Sequence, residues 1–122
     1  MPNRDIKESC RTSPTLALLS HGAERMVWRL ITSADDFGRF DSRPTVILAY
    51  CFPLLIDSLT VSEVAGWINE CVQVGLIKLY AVAGKEYGYF VNWSKYQRVR
   101  NKISKFPDPA DGQDIQTVFP QR

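Results

Sequence analysis

Thr60-Val61-Ser62-Glu63 is the stretch that most narrows what this chain can fold into. It has the form of a capping box: the Thr60 hydroxyl accepts from the Glu63 amide while the Glu63 carboxylate reaches back to the Thr60 amide. Leu59 and Val64 stand at the two staple positions around it. Val64, Ala65, Ile68, Cys71 and Val72 then recur at helical spacing, Trp67 flanks that stripe, and Gly75 supplies a stop. The pattern predicts a helix over about residues 61–74. The text then changes period at once. Residues 76–82 and 87–91 are rich in aliphatic and aromatic side chains, and Ala83-Gly84-Lys85-Glu86 between them is a turn-compatible linker, which predicts a hairpin. A helix running straight into a hairpin points to a small α+β domain.

The upstream half supplies the rest of that domain. Ile6-Lys7-Glu8-Ser9 reads as a short strand and Ser13-Pro14 as a turn. Ser20 is a candidate N-cap, and Ala23, Met26, Val27, Leu30, Ile31 and Ala34 form one apolar stripe, predicting a helix over about 21–34 with Arg25 and Arg29 opposite the stripe. The loop Asp35-Asp36-Phe37-Gly38-Arg39-Phe40-Asp41-Ser42-Arg43 breaks the period, with Arg39-Phe40 as a very short strand. Pro44 suits the first turn of a further helix, with Asp41 or Ser42 as its cap. Thr45 to Phe52 is that helix, packing through Val46, Ile47, Ala49 and Tyr50, and Pro53 ends it. Tyr96, Val99 and Ile103 repeat at helical spacing beside a basic row, predicting an amphipathic helix after the hairpin. Residues 107–122 read as a linker or tail following a domain of residues 1–106.

The net charge of +2 conceals an uneven distribution. Residues 1–86 hold nine lysines and arginines against ten carboxylates, and residues 108–122 hold one arginine against three aspartates. Residues 87–107 hold five cations and no acid: Lys95, Arg98, Arg100, Lys102 and Lys105, interleaved with Trp93, Tyr96 and Phe106. A compact basic stretch with aromatics is the electrostatic footprint of a nucleic-acid contact, and a solvated basic helix has the same composition. With 122 residues, 45% of them hydrophobic, the chain suits one globular domain and not a disordered or disulfide-stapled class. No apolar run approaches membrane-spanning length, and the start lacks a secretory apolar core. Cys10, Cys51 and Cys71 are an odd set without a close pair, which reads as free thiols in a reducing cytoplasm.

Helix, short strand, helix, helix, hairpin and basic helix is the order of a winged helix-turn-helix domain, mostly helical, with a two- to three-stranded wing. Particular segments add a family. Arg4-Asp5-Ile6-Lys7-Glu8-Ser9, Asp35-Asp36-Phe37-Gly38-Arg39-Phe40-Asp41, Cys51-Phe52-Pro53-Leu54, Gly75-Leu76-Ile77 and Trp93-Ser94-Lys95-Tyr96-Gln97-Arg98-Val99-Arg100 together resemble the N-terminal domain of bacteriophage replisome organizers, the DnaD-like replication initiation proteins. The resemblance covers about residues 3–107. It implies a winged-helix domain that binds a phage replication origin in the bacterial host cytoplasm and helps recruit helicase-loading machinery. It also implies a second, partner-binding domain beyond the linker in most members.

On that reading the partner is double-stranded DNA. Lys95, Arg98, Arg100, Lys102 and Lys105 are the candidate phosphate contacts, with Arg25, Arg29 and Lys85 as auxiliary ones. Asn69 and Gln73, four apart on the third long helix, carry the amide chemistry that pairs with adenine edges. Glu63 and Glu70 on the same helix oppose phosphate. This keeps two alternatives open: a module for homo-oligomerisation and protein interaction, or a transcriptional regulator of the same fold. Trp28, Trp67 and Trp93 are assigned to packing, and Tyr80, Tyr87 and Tyr89 to the two faces of the hairpin. An enzyme, a cofactor and a metal are not expected. His21 is the sole histidine, and Asp35, Asp36 and Asp41 lack calcium-loop spacing. Asp36-Phe37-Gly38 stands without a phosphate-cradling loop, and no Walker motif is present.

Overall fold

The expected helix over 61–74 is present as Val61–Gln73, and its capping box forms as anticipated: Glu63 N–H donates to Thr60 Oγ1 at 3.1 Å and Thr60 N–H to Glu63 Oε1 at 3.0 Å. Its other end closes as a Schellman motif, with Leu76 N–H on Cys71 O and Gly75 N–H on Val72 O. These details come from a computed structural model that describes residues 4–93, 97 and 103–118. Among the described residues the fold is α+β, with four helices and one antiparallel four-stranded sheet. The helices are α1 (Pro14–Ala17), α2 (His21–Ser33), α3 (Pro44–Cys51) and α4 (Val61–Gln73). The strands are β1 (Arg39–Asp41), β2 (Ile77–Val82), β3 (Lys85–Phe90) and β4 (Gln113–Ile115), in the order β1-β3-β2-β4.

The long helices α2 and α4 and the shorter α3 pack pairwise on one another, and β2 lies against α4. α2 starts on Ser20, whose hydroxyl accepts from Ala23 N–H, and buries Ala23, Met26, Val27 and Leu30. α4 contributes Val64, Ala65, Ile68 and Cys71, all but sealed from solvent. The inner sheet face adds Phe40, Ile77, Leu79 and Phe90 to the same core. Trp93 is buried as expected, stacked on Phe90, with its indole N–H donating to Asp36 O at 2.7 Å.

Four expectations about elements before residue 107 need correction. Ile6–Ser9 is not a strand: a 3-10 turn runs over Glu8–Thr12, and Ser13 caps the one-turn α1. In α3 the inward residues are Ile47, Leu48 and Cys51, while Ala49 and Tyr50 face solvent; eight nearly all-apolar residues give no phase from which to choose a face. Neither Asp41 nor Ser42 caps α3; Arg43 holds that position, and the Asp41 carboxylate binds the Arg43 amide and guanidinium instead. The hairpin turn is only Ala83-Gly84, both at positive φ (54° and 80°), so Lys85 and Glu86 belong to β3.

The segment read as a linker is built into the fold over residues 107–118. β4 pairs with β2 through Leu79↔Ile115, Tyr80↔Asp114 and Ala81↔Gln113, and Val118 is 2% exposed within the core. The free edge of β2 needs backbone partners, and Ile115 and Val118 supply the apolar groups that make pairing favourable. The helix expected over the basic stretch falls on residues 94–96 and 98–102, outside the described residues.

Candidate nucleic-acid interface

Four of the five cations of the basic stretch, Lys95, Arg98, Arg100 and Lys102, also lie outside the described residues. The fifth, Lys105, is exposed, and its backbone is fixed: its amide donates to Asp35 Oδ2 at 3.2 Å, and the Ser104 hydroxyl donates to the same oxygen. Asp35 Oδ1 accepts from the amides of Phe37 and Arg39, each at 2.9 Å. This buried carboxylate therefore organises the loop before β1 and anchors the exit of the basic stretch upon it.

The auxiliary cations divide. Lys85 is exposed, one residue past the hairpin turn. Arg25 is exposed with its guanidinium over the Phe52 ring. Arg29 is half-buried: it lies over Phe52 at 4.8 Å and donates to Cys51 O at 2.8 Å, satisfying a carbonyl at the end of α3. That contact makes Arg29 a helix-closing residue of the fold.

On α4 the two candidate base readers also differ. Gln73 is exposed. Asn69 is half-buried, and both ends of its amide are engaged: Nδ2 donates to Val118 O at 3.2 Å and Oδ1 accepts from Val118 N–H at 2.9 Å. The two acids that looked unfavourable on this helix have internal partners. Glu63 completes the capping box, and Glu70 accepts from Ser20 N–H at 2.8 Å and Ser20 Oγ at 2.7 Å at the start of α2. Ser62, Gly66 and Gln73 make up an exposed, uncharged strip along α4.

The outer sheet face carries the hairpin tyrosines. Tyr80 is fully buried there, its ring near those of Tyr87 and Tyr89, and its hydroxyl donates to Pro107 O at 2.7 Å. Phe106 covers Tyr87. Burial pushes the Tyr80 hydroxyl up to about 12. Burial likewise raises the thiols of Cys51 to about 11 and Cys71 to about 12, so neither presents a thiolate near neutral pH.

Sequence reasoning missed a buried ion pair near the N-terminus. Arg4 Nη1 lies 2.9 Å from Asp36 Oδ1, with side chains 6% and 7% exposed, and Arg4 also stacks over Trp93 and donates to Ala34 O. An arginine and an aspartate thirty-two positions apart leave no local signal of pairing. Among the described residues no group of three or more His, Cys, Asp or Glu could hold a metal, and no helix is long and apolar enough to cross a membrane. Comparison of the chain with protein-family models, with curated proteins and with solved structures finds no match.

Proposed function

We propose that this chain is a non-enzymatic winged-helix binder of double-stranded DNA of the replisome-organizer type, acting in replication initiation by origin binding and recruitment of helicase-loading proteins. The observation that carries the reading is a coupling of element order to charge. Helix α2, strand β1, helices α3 and α4 and hairpin β2–β3 follow one another with β1 laid on β3, and the five-cation, acid-free stretch comes directly after. In a winged helix-turn-helix domain α4 is the recognition helix and the Ala83-Gly84 turn is the wing tip.

Three further features support it. The uncharged strip Ser62–Gly66–Gln73 lets the α4 backbone approach a groove closely. Glu63 and Glu70 are tied to intramolecular donors instead of projecting toward phosphate. Lys85 stands at the wing, where phosphate contacts belong.

Salt-titrated binding to origin-like and random duplexes tests the reading. Engagement of all five cations gives a log–log salt slope of about −4.5. Replacing Arg98 and Lys102 with Ala weakens binding to every sequence and flattens the slope by about 2. Unchanged binding by that double variant removes the assignment.

A second reading, oligomerisation or protein docking, draws on one observation. Tyr50 is 71% exposed, Leu54 95% and Ile56 48%, an apolar group at the end of α3 and in the α3–α4 turn. Light scattering that shows a stable dimer or tetramer, with no duplex shift at low salt, selects this reading over the first.

A further inference from the structure

Residues 107–118 follow a path that bears directly on α4. The segment starts over the outer sheet face, where Pro107 O takes the Tyr80 hydroxyl. It then runs along the edge of β2 as β4. At Gly112 the approach is so close that a Cβ would stand 2.4 Å from the Ala81 carbonyl oxygen and 2.7 Å from a Val82 methyl. Finally Val118 is buried and binds both ends of the Asn69 amide. Just before β4 the chain makes a 3-10 turn over Pro109–Asp111 that packs on β2, and in β4 Asp114 stands opposite Tyr80; Asp111 and Asp114 are both exposed. The attachment is a three-residue ladder, the Tyr80–Pro107 bond, an Arg39–Asp108 ion pair at 3.9 Å, the two Asn69–Val118 bonds and the buried Val118. These contacts are discrete and spread along the segment, so it can open without the helical core.

We propose that residues 107–118 are a displaceable strap that competes with duplex DNA for α4 and the hairpin turn. The inference rests on the DNA-binding reading above. In the closed form Val118 takes the same donor and acceptor of Asn69 that a bidentate pair with adenine N7 and N6 requires. The closed form also lays two exposed carboxylates, Asp111 and Asp114, along the β2 edge of the hairpin, where they oppose an approaching phosphate backbone. Only the open form offers the free amide, so duplex DNA binds it more tightly and draws the population toward it. The weak closed form and the strong open form then set the apparent affinity together.

Two kinds of variant separate release from charge. Gly112→Ala forces β4 off β2 with no change in charge. Asp111→Asn with Asp114→Asn removes the repulsion and leaves the backbone contacts intact. Anisotropy on random and adenine-rich duplexes, with hydrogen exchange on the full chain, reads both. Gly112→Ala is expected to raise affinity about tenfold, as for a binding-competent form populated near one part in ten. Exchange at residues 113–118 should quicken while α2 and α4 stay protected. The double Asn variant should bind about threefold tighter at low salt, and that gain should vanish at high salt. An opened Gly112→Ala chain that binds no tighter removes the strap as a competitor. If Gly112→Ala fails to fold, the Asn variant decides, and absence of a gain at low salt overturns the inference. Duplex binding that no variant alters removes the strap alone, whereas no binding by any form removes the DNA reading with it.

Discussion

In α2 and α4 three helix ends are closed by residues of the same stretch of sequence: Ser20 for α2, the Thr60–Glu63 box and the Cys71–Leu76 closure for α4. At the Asp35 loop and on the outer sheet face the partners come from far along the chain. Ser104 and Lys105 reach Asp35 across about seventy positions, and Tyr80 bonds Pro107. In both regions buried side-chain polar groups are paired, with Arg4 Nε and Ser42 Oγ the exceptions among the described residues. The regions differ in how the pairing arises, and so in how each comes apart. The helical half shares one apolar core, which predicts that it unfolds as a unit, whereas the separate attachments of the outer half predict openings one at a time.

Removing core volume tests the first half of that contrast with the largest effect. Ile68 is fully buried, so Ile68→Ala should cost about 2–5 kcal/mol and lower the protection of all three long-range-packed helices together, as measured by urea denaturation and amide exchange. Loss of protection confined to α4 would break the picture of one shared core.

Asp35→Asn should cut the outer half in a selective manner. The retained oxygen still accepts from Phe37 and Arg39, while the new amide nitrogen faces the Ser104 hydroxyl and the Lys105 amide, which it cannot accept from. The expected loss is about 1–3 kcal/mol. Exchange should rise at residues 104–106 and not in α2 or α4.

Tyr80→Phe is smaller. It deletes the hydroxyl that holds Pro107 and leaves the ring cluster, at a cost of about 1 kcal/mol. The same exchange experiment should show loosening over residues 107–115 alone. Equal loosening of the helices would join the two halves that the contrast separates.

The mildest probe near neutral pH uses the thiols. Cys51 and Cys71 are buried and Cys10 is half-exposed, so an alkylating reagent at pH 8 should label Cys10 first and the other two only on unfolding. Burial raises the two core thiols from an ordinary 9.0 to about 11 and about 12. An unfolded thiol therefore ionises before a folded one. Their contribution to stability is intact below pH 9 and is lost as the pH rises toward 11 to 12. Tyr80, raised from 10.0 to about 12 by burial, acts in the same direction. Urea midpoints should fall from pH 8 to pH 10.5, less steeply in a Cys51→Ala, Cys71→Ala variant.

The sequence by itself determined the elements whose signals are local. The capping box, the Ser20 cap, the period of α2 and α4, the strand at Arg39-Phe40 and the hairpin all depend on residues a few positions apart, and their physics is readable at that range. The concentration of charge after the hairpin is equally a property of the sequence. Only the tertiary structure decided which face of α3 turns inward, because a short apolar helix has no phase of its own. It also decided that Asn69 and Glu70 hold partners within the fold and that Arg4 meets Asp36. It turned an apparent linker into the fourth strand. In each of these cases a side chain that looks free in the sequence is matched by a group many residues away, and such pairings are set by how the elements pack.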